Sequence, residues 1–248
     1  MHHLIVDNLD PSQNEMVIEG EQARHAIRVR RMESGEQLVL MDGAGRTATA
    51  FVESSDKNGP QHTWRLLVRV AQHQEHPRPC PAIHVLCPAP KGDLLETMID
   101  ELSQVGAASW RPLDTQRSER EPRRGKMDRL ARIAHEAAKQ CGRPWYLDLE
   151  PAITFDEAVT LPGAVLADAG SPSAIRVYAD APAGAWSQGI HVLVGPEGGF
   201  SDHERSKALG AGLATVGLGP HILRIGTAAV VAASGFVMAT KGGPVTNS

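Results

Sequence analysis

Cysteine is scarce in this sequence, and its few positions show no pattern. Cys80, Cys87 and Cys141 are odd in number and lack Cys-x-x-Cys spacing. That argues against a disulfide framework and a zinc site, and for a reducing, cytoplasmic setting. Long apolar runs are also missing. The longest, Ala228 to Ala239, is short and broken by Ser234 and Gly235, which excludes a bilayer span and any expected membrane association. No basic stretch followed by an apolar run opens the chain, so no secretory signal is expected. The eleven histidines are scattered, and the closest pairs, His2–His3 and His73–His76, fall at the start and in a proline-rich connector. No metal is expected from such spacing. Internal repeats and low-complexity segments are absent too.

Excess positive charge is lacking as well: the net charge is −4. The distribution is uneven, however. Arg24, Arg28, Arg30 and Arg31 fall within eight residues that contain no acid, and the segment from Arg111 to Arg132 holds eight Arg or Lys against four acids. Local patches, not net charge, decide where phosphates bind. For a typical charge run, though, a solvated helix face is the better reading. With 42% hydrophobic and 22% charged residues in 248, the chain has the composition of a soluble globular protein and room for two modest domains. The polar tail from Lys241 to Ser248 is the one segment expected to be disordered.

Residues 1–72 read as a small, mostly β domain. Trp64, Leu66, Val68 and Val70 alternate with polar neighbours from Thr63 onward, Gln37 to Met41 is a second apolar run, and Asp42-Gly43 ends it as a turn. A short helix is expected over Glu21 to Val29. Ala71 to Pro81 carries three prolines and no apolar periodicity, which places a linker at residues 73–81. From residue 82 the rhythm changes to strands alternating with helices. Ile83 to Cys87 reads as a buried strand. Leu94, Leu95, Met98, Ile99, Leu102 and Val105 recur at helical spacing before Gly106, and Met127, Leu130, Ile133, Ala137 and Cys141 do so before Gly142. Ala164 to Ala167, His191 to Val194 and Ala214 to Leu218 are further strands. The alternation predicts an α/β domain with a largely parallel sheet.

Two stretches place glycines where an ordinary sheet would not. Gly195-Pro196-Glu197-Gly198-Gly199 follows the strand His191 to Val194, and Ser201 with Glu204 forms a capping box that starts a helix. The spacing matches neither G-x-G-x-x-G nor a P-loop, so a dinucleotide or triphosphate site has no support. Taken alone, the segment is equally a tight strand-to-helix turn or a loop whose backbone closely approaches a ligand. In the second stretch, Leu218-Gly219-Pro220-His221-Ile222-Leu223-Arg224 leads into a helix of small residues ending near Ala239. Such residues allow close backbone approach to a neighbour, within the chain or across a dimer. The apolar Ile222, Leu223 and Ile225 around Arg224 argue against its being an ordinary surface arginine.

In this order near the C-terminus, the two stretches resemble the RsmE family of SPOUT RNA methyltransferases. The resemblance extends through most of the chain: His25 to Gly35 with Val29-Arg30-Arg31, Asp42-Gly43, Lys91-Gly92-Asp93, Pro112 with Arg117-Ser118, and Glu136-Ala137 with Gln140 and Arg143. It implies a small PUA-like β-barrel domain before a SPOUT-type α/β domain (residues 82–248), whose segment from about 164 to 240 threads a trefoil knot. Knots are rare, and this one is implied by the resemblance alone. The resemblance further implies S-adenosyl-L-methionine held by Gly195, Pro196, Glu197, Gly198 and Gly199. Leu218, Gly219, Ile222, Leu223 and Thr227 would join them, with the loop after Leu166 as a third wall. The reaction implied is methylation of N3 of a uridine in 16S ribosomal RNA, naked or within the small ribosomal subunit, by a homodimer. Arg224, Arg143 and Gln140 are the candidate catalytic groups, and Arg28, Arg30, Arg31 and Arg117 the candidate RNA contacts.

The sequence departs from the family at His221, where an arginine is usual, and at Ile225-Gly226, where a Thr-Glu pair is. Glu101 and Gln104 replace a lysine and a glutamate. These changes remove charges that orient RNA or substrate but not the backbone groups assigned to the cofactor. The competing readings are a non-catalytic RNA-binding member of the fold, a SPOUT methyltransferase with another RNA target, and an unrelated nucleotide-using α/β enzyme.

Overall fold

The computed structural model describes residues 2–56, 64–118, 124–182 and 184–240. Thr63 and the tail from Lys241 lie outside them. The chain divides into two compact units, one of Met1–Arg78 with Ala138–Tyr146, the other of Pro79–Ala137 with Leu147–Ser248.

The first unit is built on a five-stranded sheet. In chain order it comprises β1 (His2–Ile5), β2 (Glu15–Glu19), β3 (Gln37–Met41), β4 (Arg46–Asp56) and β5 (Arg65–Glu75), paired in the order β1-β3-β4-β5-β2. Two register shifts between β4 and β5, at Thr49/Ala50 and Val52/Ser54, add twist and curl the sheet. The alternation read in β5 holds: Leu66, Val68 and Val70 are buried, and Trp64 packs on the same core. The expected helix exists but changes pitch: α1 (Gly20–Arg24) continues as a wider π turn over His25–Val29, burying Ala23, Ala26 and Ile27. The Asp42 carboxylate accepts from the amides of Ala44 (2.8 Å) and Arg46 (3.0 Å), closing the β3–β4 turn. Trp145 and Tyr146 press on this turn. A Cβ on Gly45 would lie 2.1 Å from the Trp145 ring, and one on Gly43 1.9 Å from Tyr146.

The second unit holds a seven-stranded sheet whose recorded pairings are all parallel. Its strands are β6 (Ile83–Cys87), β7 (Ser109–Asp114), β8 (Asp148–Leu149), β9 (Ile153–Thr154), β10 (Ala164–Ala167), β11 (Ile190–Leu193) and β12 (Ala214–Val216). They run in the order β12-β10-β11-β6-β7-β8, with β9 on β7. Its helices are α2 (Leu94–Val105), α3 (Arg124–Cys141), α4 (Phe155–Ala158), α5 (Ala174–Asp180), α6 (Asp202–Gly210) and α7 (Ile225–Ala239), the last residues of α3 belonging to the first unit. Parallel strands need cover on both faces. On one, Val85, Cys87, Trp110 and Val192 meet residues of α2, α3 and α7; on the other, Leu86, Leu113, Leu166 and Leu193 meet α4, α6 and Phe200. The indole N–H of Trp110 donates to Cys87 Sγ at 3.2 Å, and burial pushes the Cys87 thiol up to about 12, which leaves it unreactive.

Both glycines expected to stop helices do so. Gly106 (φ 94°) follows α2 and Gly142 (φ 72°) follows α3, in the left-handed region that favours glycine. The small residues of α7 serve contacts within the chain: a Cβ on Gly235 would lie 3.0 Å from Ala174 Cβ of α5, and one on Gly226 would meet Met98 of α2 at 3.7 Å. Elsewhere the structure differs from the expectation. β5 runs on through Glu75, into the stretch read as linker, because β4 supplies partners as far as Arg46↔Glu75. β12 stops at Val216, two residues early, where its neighbour β10 ends at Ala167.

Candidate active site

The C-terminal ends of β10, β11 and β12 open into a cleft of about 310 Å³. Ligands of open parallel sheets bind outside these strand ends. One wall is the turn Ala167-Asp168-Ala169, a second is Val194 to Phe200, and a third runs from Leu218 to Leu223, with Ala228 of α7 behind. The middle wall is a compact turn. The Gly199 amide donates to the Pro196 carbonyl at 2.8 Å, Gly199 has φ 66°, and a Cβ on Gly195 would meet Phe200 at 3.2 Å. Phe200 in turn packs against Phe155, ring centroids 5.3 Å apart.

Helix α6 fixes these walls. Ser201 and Glu204 form the capping box expected from sequence, with the Ser201 hydroxyl accepting from the Glu204 amide. The Glu204 carboxylate, only 3% exposed, accepts from the Ser201 amide (2.8 Å) and hydroxyl (2.9 Å), and from the Gln116 amide (2.8 Å) in the loop after β7. Next in sequence, Arg205 pairs with Asp168 at 2.8 Å. Asp168 is further set by its amide, which donates to the Val216 carbonyl at 2.9 Å.

The residues anticipated for the cofactor are largely brought together. Gly195, Pro196, Glu197, Gly198, Gly199, Leu218, Gly219, Ile222 and Leu223 all line the cleft. Leu166 and Thr227 are not among its lining residues. Leu166 is fully buried under the α6 face of the sheet, since the strand continues one residue further and Ala167 takes the rim. Thr227 is exposed in the first turn of α7. Arg224 is exposed at the N-cap of α7, in extended backbone. Its surroundings differ from the sequence reading: the chain alternates as it enters the helix, so Leu223 and Ile225 turn inward while Ile222 is 94% exposed. Gln140 and Arg143 belong to the first unit, as do Arg28, Arg30 and Arg31, which are exposed around the end of the π turn, Arg31 with φ 54°. Arg117 is exposed, but its guanidinium donates to the Gly198 carbonyl at 2.6 Å. Sequence reasoning missed Arg205, for which the only signal was its place directly after the capping-box glutamate. Of the departures, His221 lines the cleft, Ile225 is buried, and Glu101 and Gln104 are exposed on α2. Among the described residues no group of three or more His, Cys, Asp or Glu is arranged to hold a metal ion, and no helix is long and apolar enough to cross a membrane.

The lining fits S-adenosylmethionine in chemical type. Backbone amides and carbonyls of the glycine loop suit the hydrogen-bonding edge of a base, and Ala167, Val194, Leu218 and Leu223 supply apolar surface. Asp168 and Glu197 supply carboxylates for hydroxyls and for positive charge.

Known proteins agree with this geometry. A family model described as an RNA methyltransferase domain matches residues 76–237, and one described as an RNA methyltransferase PUA domain matches residues 18–61. A curled N-terminal sheet of the PUA-like type, followed by a parallel α/β sheet with a glycine-loop cleft, thus defines an RNA methyltransferase. The ribosomal RNA small subunit methyltransferase E of Synechocystis sp. is 32% identical over 221 residues, 85% of this chain and 69% of that one. The Mycobacterium bovis protein of the same name is 30% identical over 237 residues, 92% of this chain and 87% of that one. A Legionella pneumophila methyltransferase solved with bound SAM superposes with a TM-score of 0.73 at 29% identity, over 96% of this chain and 97% of that one. The chain belongs to the ribosomal RNA small subunit methyltransferase E family.

Proposed function

We propose that the protein transfers a methyl group from S-adenosylmethionine to N3 of a uridine in small-subunit (16S) ribosomal RNA. The observation that carries this reading is the glycine-loop cleft at the ends of β10, β11 and β12, in a chain of this family. When bound, S-adenosylmethionine supplies an electrophilic methyl on a cationic sulfur. Everything else falls to the protein. Gly195 to Gly199 and Leu218 to Leu223 would hold the donor, chiefly through backbone groups. Uracil N3 lies on the Watson–Crick edge, so the base must be unpaired and presented edge-on. The transfer would break the S–CH3 bond, leave S-adenosylhomocysteine and release the N3 proton to solvent, so rate comes from alignment and from stabilising the negative charge that grows on uracil. Arg224, Arg143 and Gln140 take that positioning and charge role. Arg28, Arg30 and Arg31 grip phosphates, which raises affinity without reading sequence.

Residues 1–72 act as the RNA-holding module and residues 82–248 as the catalytic one, with the segment from about 164 to 240 knotted. The working unit is a homodimer. Supporting this, Val231 (37% exposed) and Met238 (71%) stand seven residues apart on α7, which puts two large apolar side chains on one face of that helix. An enzyme for ribosomal RNA works where subunits are assembled, in the cytoplasm.

The test is incubation with labelled S-adenosylmethionine and small subunits from a strain lacking its own uridine-N3 methyltransferase, followed by nucleoside analysis. N3-methyluridine is expected. Label in any other nucleoside would overturn the target, and no label despite bound cofactor would overturn the catalytic reading.

A further inference from the structure

Arg117, expected to meet RNA phosphate, already has a partner inside the protein. The loop after β7 closes on itself. The Ser118 amide donates to the Thr115 carbonyl at 3.2 Å, and the Ser118 hydroxyl accepts from the Thr115 amide at 2.9 Å while donating to its carbonyl at 3.1 Å. A turn held this way fixes where Gln116 and Arg117 emerge. Both reach the segment around the glycine loop, in opposite senses: the Gln116 amide donates to buried Glu204, and the Arg117 guanidinium donates to the Gly198 carbonyl. The stem of Arg117 also lies along the loop, since a Cβ on Gly198 would be 3.4 Å from Arg117 Cδ.

The peptide unit joining Gly198 to Gly199 is the consequential one. With glycine on both sides, no Cβ resists its rotation. It is held at its two ends instead, by Arg117 at the Gly198 carbonyl (2.6 Å) and by the Pro196 carbonyl at the Gly199 amide (2.8 Å). Both glycines line the cleft. A charge-assisted hydrogen bond is stronger than a neutral one, so Arg117 selects one orientation of this peptide and with it the shape of the cleft wall.

We propose that Arg117 is a positioning residue for the cofactor, fixing the Gly198–Gly199 peptide before any RNA is present. The inference rests on the reading of the cleft as the S-adenosylmethionine site. The experiment is calorimetric titration of S-adenosylhomocysteine into RNA-free protein, comparing wild type with Arg117→Ala, Arg117→Lys and Arg132→Ala. Arg132 is exposed on α3 and serves as the control for lost surface charge. Arg117→Ala weakens binding about tenfold, the scale of a hydrogen bond to a charged group. Arg117→Lys recovers most of the loss, because an ammonium can still donate to one carbonyl, and Arg132→Ala binds as wild type. Should Arg117→Ala not fold, as judged by its melting transition, Arg117→Met, which keeps the apolar stem but has no donor, carries the same expectation. Wild-type affinity in Arg117→Ala would overturn the proposal and return the residue to a phosphate contact. Absence of binding in the wild type would instead sink the cofactor reading itself, and the proposal with it.

Discussion

The imidazoles of His84 and His191 lie stacked, ring centroids 4.5 Å apart, at paired positions of β6 and β11. His191 Nδ1–H donates to the Pro162 carbonyl at 2.8 Å, and His84 Nδ1 meets the Ser109 hydroxyl at 2.8 Å. Burial holds His191 below the usual histidine value, opposed by the Pro162 bond and by Glu150, while Arg111 adds to the lowering. His3 and His135 are lowered by burial as well. A lowered histidine is neutral in the fold while the unfolded chain takes up its proton near the ordinary histidine value of 6.5. Its contribution is therefore intact above that pH and lost as pH falls towards the depressed folded value. The melting temperature is expected to drop as the pH falls below about 6.5, with a shallower slope in His191→Gln. An equal slope in that variant would remove His191 from the account. Gly45 is a second single-residue test. Its φ of 91° and the Trp145 ring leave no room for a Cβ, so Gly45→Ala should cost about 1–3 kcal/mol in urea unfolding.

At the scale of elements, α6 carries the most consequence. Ser201→Ala removes its cap and should cost about 0.5–2 kcal/mol. Glu204→Ala should cost more, since it strands the buried amide of Ser201 and the part-buried amide of Gln116 as well. Both are read from denaturant midpoints, and a neutral Glu204→Ala would contradict the clamp described for the cleft. This cap was legible in sequence because Ser201 and Glu204 are three apart beside a glycine turn. So were α2, β3, β6 and β10, whose apolar pattern coincides with their burial except at Leu94, which is exposed at the start of α2. Other elements owe their existence to partners that a single segment does not announce. The polar end of β4, Glu53 to Asp56, is a strand because β5 pairs with it. β7 carries Pro112, an unusual strand residue, and is held by β6 on one side and by β8 and β9 on the other. The π turn at His25–Val29 has no periodicity of its own to read.

For the whole molecule, the glycine stretches identified the cleft but not what supports it. Gly195 to Gly199 and Leu218 to Leu223 are visible as turn chemistry, whereas the Asp168–Arg205 pair and the Arg117–Gly198 bond join residues far apart in sequence. Spacing along one chain carries no information about such contacts. The homodimer is likewise a whole-molecule claim. Val231→Asp with Met238→Glu should convert the particle to a monomer by light scattering, and an unchanged mass would move the interface away from α7. The central claim is that the cleft of the second unit binds the methyl donor. Hydrogen exchange of the RNA-free protein, with and without saturating S-adenosylmethionine, tests it most directly. The account predicts slowed exchange in peptides covering residues 195–201 and 217–224 and no change in the β3–β4 hairpin. Unchanged exchange in both cleft segments, or protection confined to the N-terminal sheet, would contradict it.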